Sequence, residues 1–165
     1  MLKFENAVRA ALAAIALLLV STPLAAQEER QTARTWKRHV QVKKSHRLIL
    51  QVNSNEPAMM NLALNNATNV AQYYKDLGEK VSIEIVTYGP GLHMLRDDTS
   101  PVKARIETIA LSAPEISFKA CGNTRENMSK AENKDIPLIS QAQLVKSGVV
   151  RVMELQERGW SYVKP

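Results

Sequence analysis

The sequence contains a single cysteine, Cys121, among its 165 residues. One cysteine cannot form an internal disulfide, so no disulfide framework holds this chain together, even in an oxidising compartment. The thiol is therefore buried and inert, paired between two chains, or reactive. The sequence leaves these three alternatives open at this point.

Aromatic residues are also scarce, at 5% of the chain, while the hydrophobic fraction of 45% is ordinary for a globular protein. This composition suggests neither a fibre nor wholesale disorder. The length suits one domain with its own core and is short for two.

Motifs for common cofactors are missing. Gly89 and Gly91 lack the third glycine of a dinucleotide fingerprint and do not open a long helix at once, and no P-loop occurs. His39, His46 and His93 lie far apart without companions at metal-ligand spacing. We therefore expect no metal and no cofactor.

Residues 1–26 have the features of a secretory signal peptide. Lys3 and Arg9 flank its start, an apolar run covers residues 11–20, and small residues precede a cleavage site after Ala26. The run is shorter than the roughly 20 apolar residues that a bilayer requires. We expect cleavage and a periplasmic or secreted protein, with an uncleaved anchor as the alternative.

Removing residues 1–26 leaves 20 basic and 15 acidic residues, a net charge of about +5. Much of this charge lies in a basic arm, residues 27–45, ahead of a domain that spans residues 46–165. A basic arm can bind nucleic acid or an anionic membrane. No nucleic-acid motif accompanies it, so we favour a solvated arm and expect neither a nucleic-acid partner nor stable membrane insertion after cleavage.

The domain alternates strand-like and helix-like segments. Short apolar or alternating runs predict strands at residues 47–52, 81–89, 115–121 and 142–145, and a fifth strand or extended tail at 160–165. Helices are predicted between them, one from Pro57 to just before Gly78 and others capped by Ser100, Asn123 and Ser147. This alternation predicts a mostly parallel sheet of about five strands with helices on both faces.

In such a sheet the loops that follow the strands meet at one edge, where ligands bind. Our candidate ligand-binding residues in these loops are Asn53, Tyr88, Gly89, Gly91, Gly122, Asn123 and Thr124. Tyr88 and Asn53 are either pocket walls or ordinary packing at strand ends. His93 is either a proton donor or acceptor beside the thiol or an exposed loop histidine.

Cys121 ends the third predicted strand and directly precedes a helix. Free N–H groups and the helix dipole stabilise an anion such as a thiolate at this position. Arg125 and Lys146 would add positive charge if their loops converge. The alternative is a small buried hydrophobe, as free cysteines commonly are.

Four segments, "ILQVN", "VTYGPGLHML", "FKACGNT" and "VKSGVVRVMELQERGWSYVKP", together resemble the DsrE/DsrF-like sulfur-relay family. The resemblance covers residues 46–165, and it is strongest to the secreted single-domain members found in bacteria. It implies a three-layer flavodoxin-like α/β fold, assembly into trimers or hexamers, and a cysteine that carries sulfur as a persulfide.

Cys121 stands where the resemblance places the sulfur-carrying nucleophile. The sequence thus leads to the hypothesis of a sulfur-carrier or thiol-transfer protein that works with a sulfur donor or acceptor protein. The alternative is a non-catalytic, oligomeric module of the same fold that binds a small ligand or a protein. The sulfur-relay members work in the cytoplasm, whereas this chain has the features of an exported protein.

Overall fold

The structure, a computed structural model, describes residues 45–165. The predicted signal peptide, residues 1–26, and all but the last residue of the basic arm, residues 27–45, lie outside the described residues. Cleavage, export and the role of the arm therefore stay predictions.

Within residues 45–165, five strands alternate with four α-helices and one 3-10 helix. The strands are β1 (Ser45–Val52), β2 (Lys80–Thr87), β3 (Ile116–Cys121), β4 (Ala142–Val145) and β5 (Ser161–Val163). The helices are α1 (Pro57–Asp76), the 3-10 helix (Gly89–Leu95), α2 (Lys103–Ser112), α3 (Gly122–Glu132) and α4 (Gly148–Glu157).

The five strands form one parallel sheet in the order β4-β3-β2-β1-β5. From β1 to β4 the chain adds strands in one direction, and it then crosses back over the sheet to place β5 beside β1. Because parallel crossovers are right-handed, this reversal sends α4 to the face opposite the other helices. The result is the predicted three-layer, flavodoxin-like α/β fold.

The two faces of the sheet carry different cores. One face, with Ile85 and Phe118 fully buried, packs against α1 and α2 in the larger apolar cluster. The other face contributes Ile49 and Val86 to a small cluster with α4. The alternation of side chains along each strand assigns successive residues to opposite faces. Cys121 consequently lies on the α4 face.

A buried ion pair supplements the small cluster under α4. Glu84, on the central strand β2, is 7% exposed and accepts two hydrogen bonds from the Arg151 guanidinium at 2.6 and 2.9 Å. The carboxylate raises the pKa of Arg151. Its bidentate geometry fixes the rotation of α4 about its axis, since one side of the helix must face β2.

The predicted starts of α2 and α3 are wrong. The Ser100 hydroxyl donates to the Met94 carbonyl at 2.6 Å and accepts from the Val102 N–H, which makes a turn, so α2 begins only at Lys103. Asn123 lies inside α3, whose N-cap is Cys121 without a side-chain cap. Ser147, by contrast, caps α4 as predicted, through a long 3.5 Å contact from the Val150 N–H.

Arg96, just after the 3-10 helix, is only 1% exposed. Its guanidinium forms bidentate ion pairs with Asp98 and with Glu132 at the end of α3. These hydrogen bonds raise the pKa of Arg96 and lower the pKa of both carboxyl groups, that of Glu132 to about 2. The network joins the loop after β2 to α3 and so holds two elements of the carboxyl edge together.

Candidate functional site

The candidate site lies at the carboxyl edge of the sheet. Val52 pairs with Thr87 and Thr87 with Ala120, so the chain leaves β1, β2 and β3 at the same height. Cys121 pairs with Val145 of β4. The helices α3 and α4 depart from β3 and β4 to opposite faces. We call the region between these two strand ends, the usual position of ligands in such sheets, the crevice.

Cys121 occupies this crevice as the last residue of β3 and the N-cap of α3. It is 4% exposed and forms no disulfide. Both α3 and α4 begin next to it, since Gly122 opens α3 and Gly148 opens α4. Two helix starts therefore direct free N–H groups toward one sulfur atom.

The environment lowers the pKa of the Cys121 thiol. Burial alone would raise that pKa, but hydrogen bonds from the Thr124 hydroxyl and from the backbone N–H groups of Gly148, Thr124 and Asn123 outweigh it. Neither of the two predicted cations is among the largest causes of this shift, and Arg125 donates to the Ile136 carbonyl at 2.9 Å. Dipoles of the backbone and one hydroxyl, rather than a charged side chain, stabilise the thiolate.

Thr124 links Cys121 to the loop after β2. Its Oγ1 accepts a hydrogen bond from the Gly89 N–H at 3.0 Å, so its own proton is free to be donated to the sulfur. Gly89 has a φ of +52°, in the left-handed region that glycine adopts without strain. Hydrogen bonds of Thr124 thus connect the predicted loop residues Gly89 and Cys121.

Two glycines allow the helix starts to approach the sulfur. A Cβ on Gly148 would lie 3.3 Å from the Cβ of Cys121 and 3.0 Å from Cδ1 of Tyr88. A Cβ on Gly122 would lie 3.1 Å from the Val145 carbonyl oxygen. A larger residue at either position would push its helix away from Cys121, which would weaken the hydrogen bonds that stabilise the thiolate.

Tyr88 is half-buried and lies on the α4 face beside Cys121. Its pKa is raised by burial and by the charges of Tyr162 and Cys121. The Tyr162 hydroxyl in turn donates to Oε1 of Gln51. Tyr88 therefore forms a wall of the crevice, and its phenol stays protonated at neutral pH.

Asn53 and Asn123 have different positions. Asn53, just after β1, lies against the loop after β2, where a Cβ on Gly91 would be 2.9 Å from the Cα of Asn53. Asn123 has an exposed side chain, and its N–H is shared between the Cys121 sulfur and the Lys146 carbonyl, which it meets at 3.2 Å. The ligand-binding roles of both residues stay predictions.

His93 lies on the other side of Thr124. Its Nδ1 is 2.8 Å from Oγ1 of Thr99, and it lines a cavity of about 430 Å³ between the 3-10 helix and α3. No hydrogen bond joins it to Cys121 among the described residues. The geometry places His93 at a pocket adjacent to the thiol, one side chain removed from it.

Three residues of this edge are not among the candidates from the sequence. The loops that contain Asn55 and Gly148 are expected at this edge, but Gly148 is 27 positions from Cys121, and no local pattern indicates that the two residues meet. Asn55 and Asn127 line the cavity beside His93. The sequence carries one signal for Asn127, which is its helical spacing from Thr124 and Ala131 along one face of α3.

Within residues 45–165, no group of three or more His, Cys, Asp or Glu side chains is placed to hold a metal ion. In the same range, no helix combines the length and apolar character that a membrane crossing requires.

Comparisons with known proteins add a structural neighbour. No protein-family model and no curated protein matches the chain. Among solved structures, the chain is similar to MTH1491, a protein of unknown function from Methanobacterium thermoautotrophicum, with 29% sequence identity and a TM-score of 0.60. The match covers 73% of this chain and 99% of that one. The similarity supports the fold and adds no activity.

Proposed function

We propose that this protein carries sulfane sulfur as a persulfide on Cys121. The observation that carries the proposal is the convergence of the first turns of α3 and α4 on the Cys121 sulfur, with the Thr124 hydroxyl as a further donor. A thiolate, and not a thiol, is the nucleophile in sulfur exchange. The resemblance of residues 46–165 to the DsrE/DsrF-like family supports the same role.

The proposed step is a displacement at sulfur. The Cys121 thiolate attacks the terminal sulfur of a donor persulfide, R–S–SH, and a bond forms between Sγ and that sulfur. The donor S–S bond breaks, and its electron pair leaves with the thiolate R–S⁻. The product, Cys121–S–SH, has gained one sulfur atom, and no external oxidant or reductant is needed.

Burial of Cys121 restricts what can reach it. Only 4% of the Cys121 residue surface is exposed, so a broad protein surface cannot contact its sulfur directly. Tyr88 and Gly148 crowd one side of the crevice. We therefore propose that a donor or acceptor protein exchanges sulfur with Cys121 through an extended group and not through a flat interface.

Mass spectrometry of the intact protein tests the proposal, because only one thiol is present. After incubation with a small persulfide donor and removal of excess reagent, the wild type should gain one sulfur atom that dithiothreitol removes. Cys121→Ser is the matched control and should gain none. A wild-type protein that acquires no sulfur over a range of donors and pH would refute the proposal.

The alternative, a non-catalytic binding module, is favoured by the cavity beside His93, which has the size of a small-molecule site. In that case Cys121→Ser should retain full function in cells. A loss of function in this variant, with the fold intact, would reject the alternative.

We also propose a homo-oligomer, a trimer or hexamer, exported to the periplasm or the medium. Exposed apolar side chains on α4 and the edge strands support assembly: Leu144, Val149, Val150, Met153, Tyr162 and Val163. Sedimentation velocity measures the assembly state. Cell fractionation with N-terminal sequencing tests export and cleavage after Ala26.

A further inference from the structure

The cavity between the 3-10 helix and α3 is a surface pocket, wide open to solvent, with the position and the volume of a ligand site. Its volume is about 430 Å³, and its walls come from the loop after β1, the 3-10 helix and α3. Small-molecule sites commonly have volumes of about 300 to 1,000 Å³ and lie at the carboxyl ends of parallel strands. The cavity opens at that edge.

Three polar side chains of the cavity can donate hydrogen bonds to a ligand. Asn55, His93 and Asn127 line it, and no Asp or Glu is among its described lining residues. An amide NH₂ group and an imidazole N–H match carboxylate and amide carbonyl oxygens. These donors therefore complement a ligand that carries carboxylate or amide groups.

The side chain of His93 is oriented for this role. Its Nδ1 is engaged with Oγ1 of Thr99 at 2.8 Å, which leaves Nε2 as the ring atom available to a ligand. Met128, Ala131 and Pro90 supply an apolar part of the lining. The cavity thus offers donors for polar ends and an apolar wall for an aliphatic body.

Thr124 connects the cavity to Cys121. Thr124 lines the cavity, lies three residues after Cys121 in the first turn of α3, and is among the groups that lower the pKa of the Cys121 thiol. A molecule held in the cavity therefore lies one side chain away from the reactive atom. A flexible thiol could extend its sulfur over Thr124 into the crevice while its body stays bound.

We propose that this cavity binds the body of a low-molecular-weight thiol that bears carboxylate and amide groups, whose persulfide form is the sulfur donor of Cys121. The inference rests on the proposed function and names its substrate class. Asn127 and His93 bind the polar groups, and Ala131 contacts the aliphatic part.

Binding is tested with S-methylglutathione, a peptide thioether that has the required groups and cannot transfer sulfur. Chemical shifts of ¹⁵N-labelled Cys121→Ser protein, residues 27–165, are followed during titration with this probe. We expect saturable shifts at Gly89, His93 and Asn127. Because loss of one hydrogen bond to a charged group costs roughly tenfold in affinity, Asn127→Leu should raise the Kd by about that factor.

Two further variants make the test decisive. Ala131→Phe fills the cavity from α3 and should abolish the shifts at His93 while the thermal unfolding midpoint stays near that of the parent. Asn66→Leu, on α1 and outside the cavity, is the matched control and should bind as the parent does. Equal affinities of the parent and Ala131→Phe, or no saturable shift with the parent, would overturn the inference.

The two proposals fail separately. The probe carries no transferable sulfur, so its binding is independent of the chemistry at Cys121. Persulfide formation with an inorganic polysulfide but no binding of S-methylglutathione would reject the cavity and keep the sulfur carrier. Binding of the probe without persulfide formation from any donor would reject the sulfur carrier and identify a binding module.

Discussion

Gly91 should be among the residues of the carboxyl edge that tolerate substitution least. It lies buried in the 3-10 helix after β2, where the backbone passes directly over the end of β1. A Cβ built on Gly91 would be 2.2 Å from the Val52 carbonyl oxygen and 2.6 Å from the carbonyl carbon. Both contacts are with backbone atoms of a buried strand, which cannot rotate away as a side chain can.

The overlap sets the size of the expected effect. Non-bonded contacts of a Cβ are essentially never shorter than 3.0 Å, so in Gly91→Ala the loop must retreat from Val52 by about 0.8 Å. Overpacking of a buried site costs roughly 1 to 3 kcal/mol, and the rigidity of β1 favours the upper value. About 3 kcal/mol corresponds to a decrease of about 12 °C in the unfolding midpoint of a domain of this size.

Gly89 provides a matched control two positions away. A Cβ there meets no atom within 4 Å, so only its φ of +52° opposes substitution. Gly89→Ala should cost about 1 kcal/mol for the left-handed conformation, and Gly89→Asn less, because asparagine tolerates that region. Urea unfolding followed by circular dichroism measures all three. Equal losses for Gly91→Ala and Gly89→Ala would refute the assignment of close packing to Gly91.

Three further predictions concern the thiol, the buried cation and the exposed apolar helix. Thr124→Val should raise the pKa of the Cys121 thiol, because a donor to the thiolate is lost, and should move the pH profile of iodoacetamide alkylation to higher pH. Thr124→Ser should retain the wild-type profile. An unchanged alkylation midpoint in the valine variant would contradict this prediction. Arg96→Met should lower the free energy of unfolding at pH 7, since it leaves the Asp98 and Glu132 carboxylates with Lys134 as their remaining cationic partner among residues 45–165. The Glu132 pKa is lowered to about 2, so the stability from this pairing is present above the ordinary carboxyl pKa and is lost as the pH falls from about 5 toward 2. Acid titration of unfolding should therefore be shallower in Arg96→Met, and parallel curves would contradict the pairing. Met153→Asp places a charge on an α4 side chain that is 54% exposed. This variant should shift sedimentation toward monomer without lowering the unfolding midpoint of the isolated subunit. An unchanged assembly state would exclude α4 from the interface.

Local patterns predicted most of the secondary structure. The strand Ala142–Val145 is confirmed at both ends, and β3 ends at Cys121 as expected. Patterns failed where a polar side chain had two possible partners. Ser100 has the chemistry of a helix cap, yet its hydroxyl donates to the carbonyl of Met94, and this contact depends on the path of the 3-10 helix.

Local sequence patterns also do not predict that Arg96 is buried. An arginine after an apolar stretch ordinarily predicts an exposed side chain, because burial of an unpaired charge is costly. Here Asp98 and Glu132 compensate the charge from two separate elements, and the two carboxylates are 34 positions apart. Only folding brings them to one guanidinium.

Three features follow from the sequence because each depends on periodicity within short segments. They are the alternation of strands and helices, the parallel class of the sheet, and the edge at which its loops meet. The position of Cys121 between a strand and a helix start follows in the same way. The surroundings of its sulfur do not. The order β4-β3-β2-β1-β5 sets β4 beside β3 and sends α4 to the opposite face, and this brings the Gly148 N–H to the Cys121 thiol. A thiolate site of this kind arises from contacts between residues distant in the chain, which no local propensity encodes.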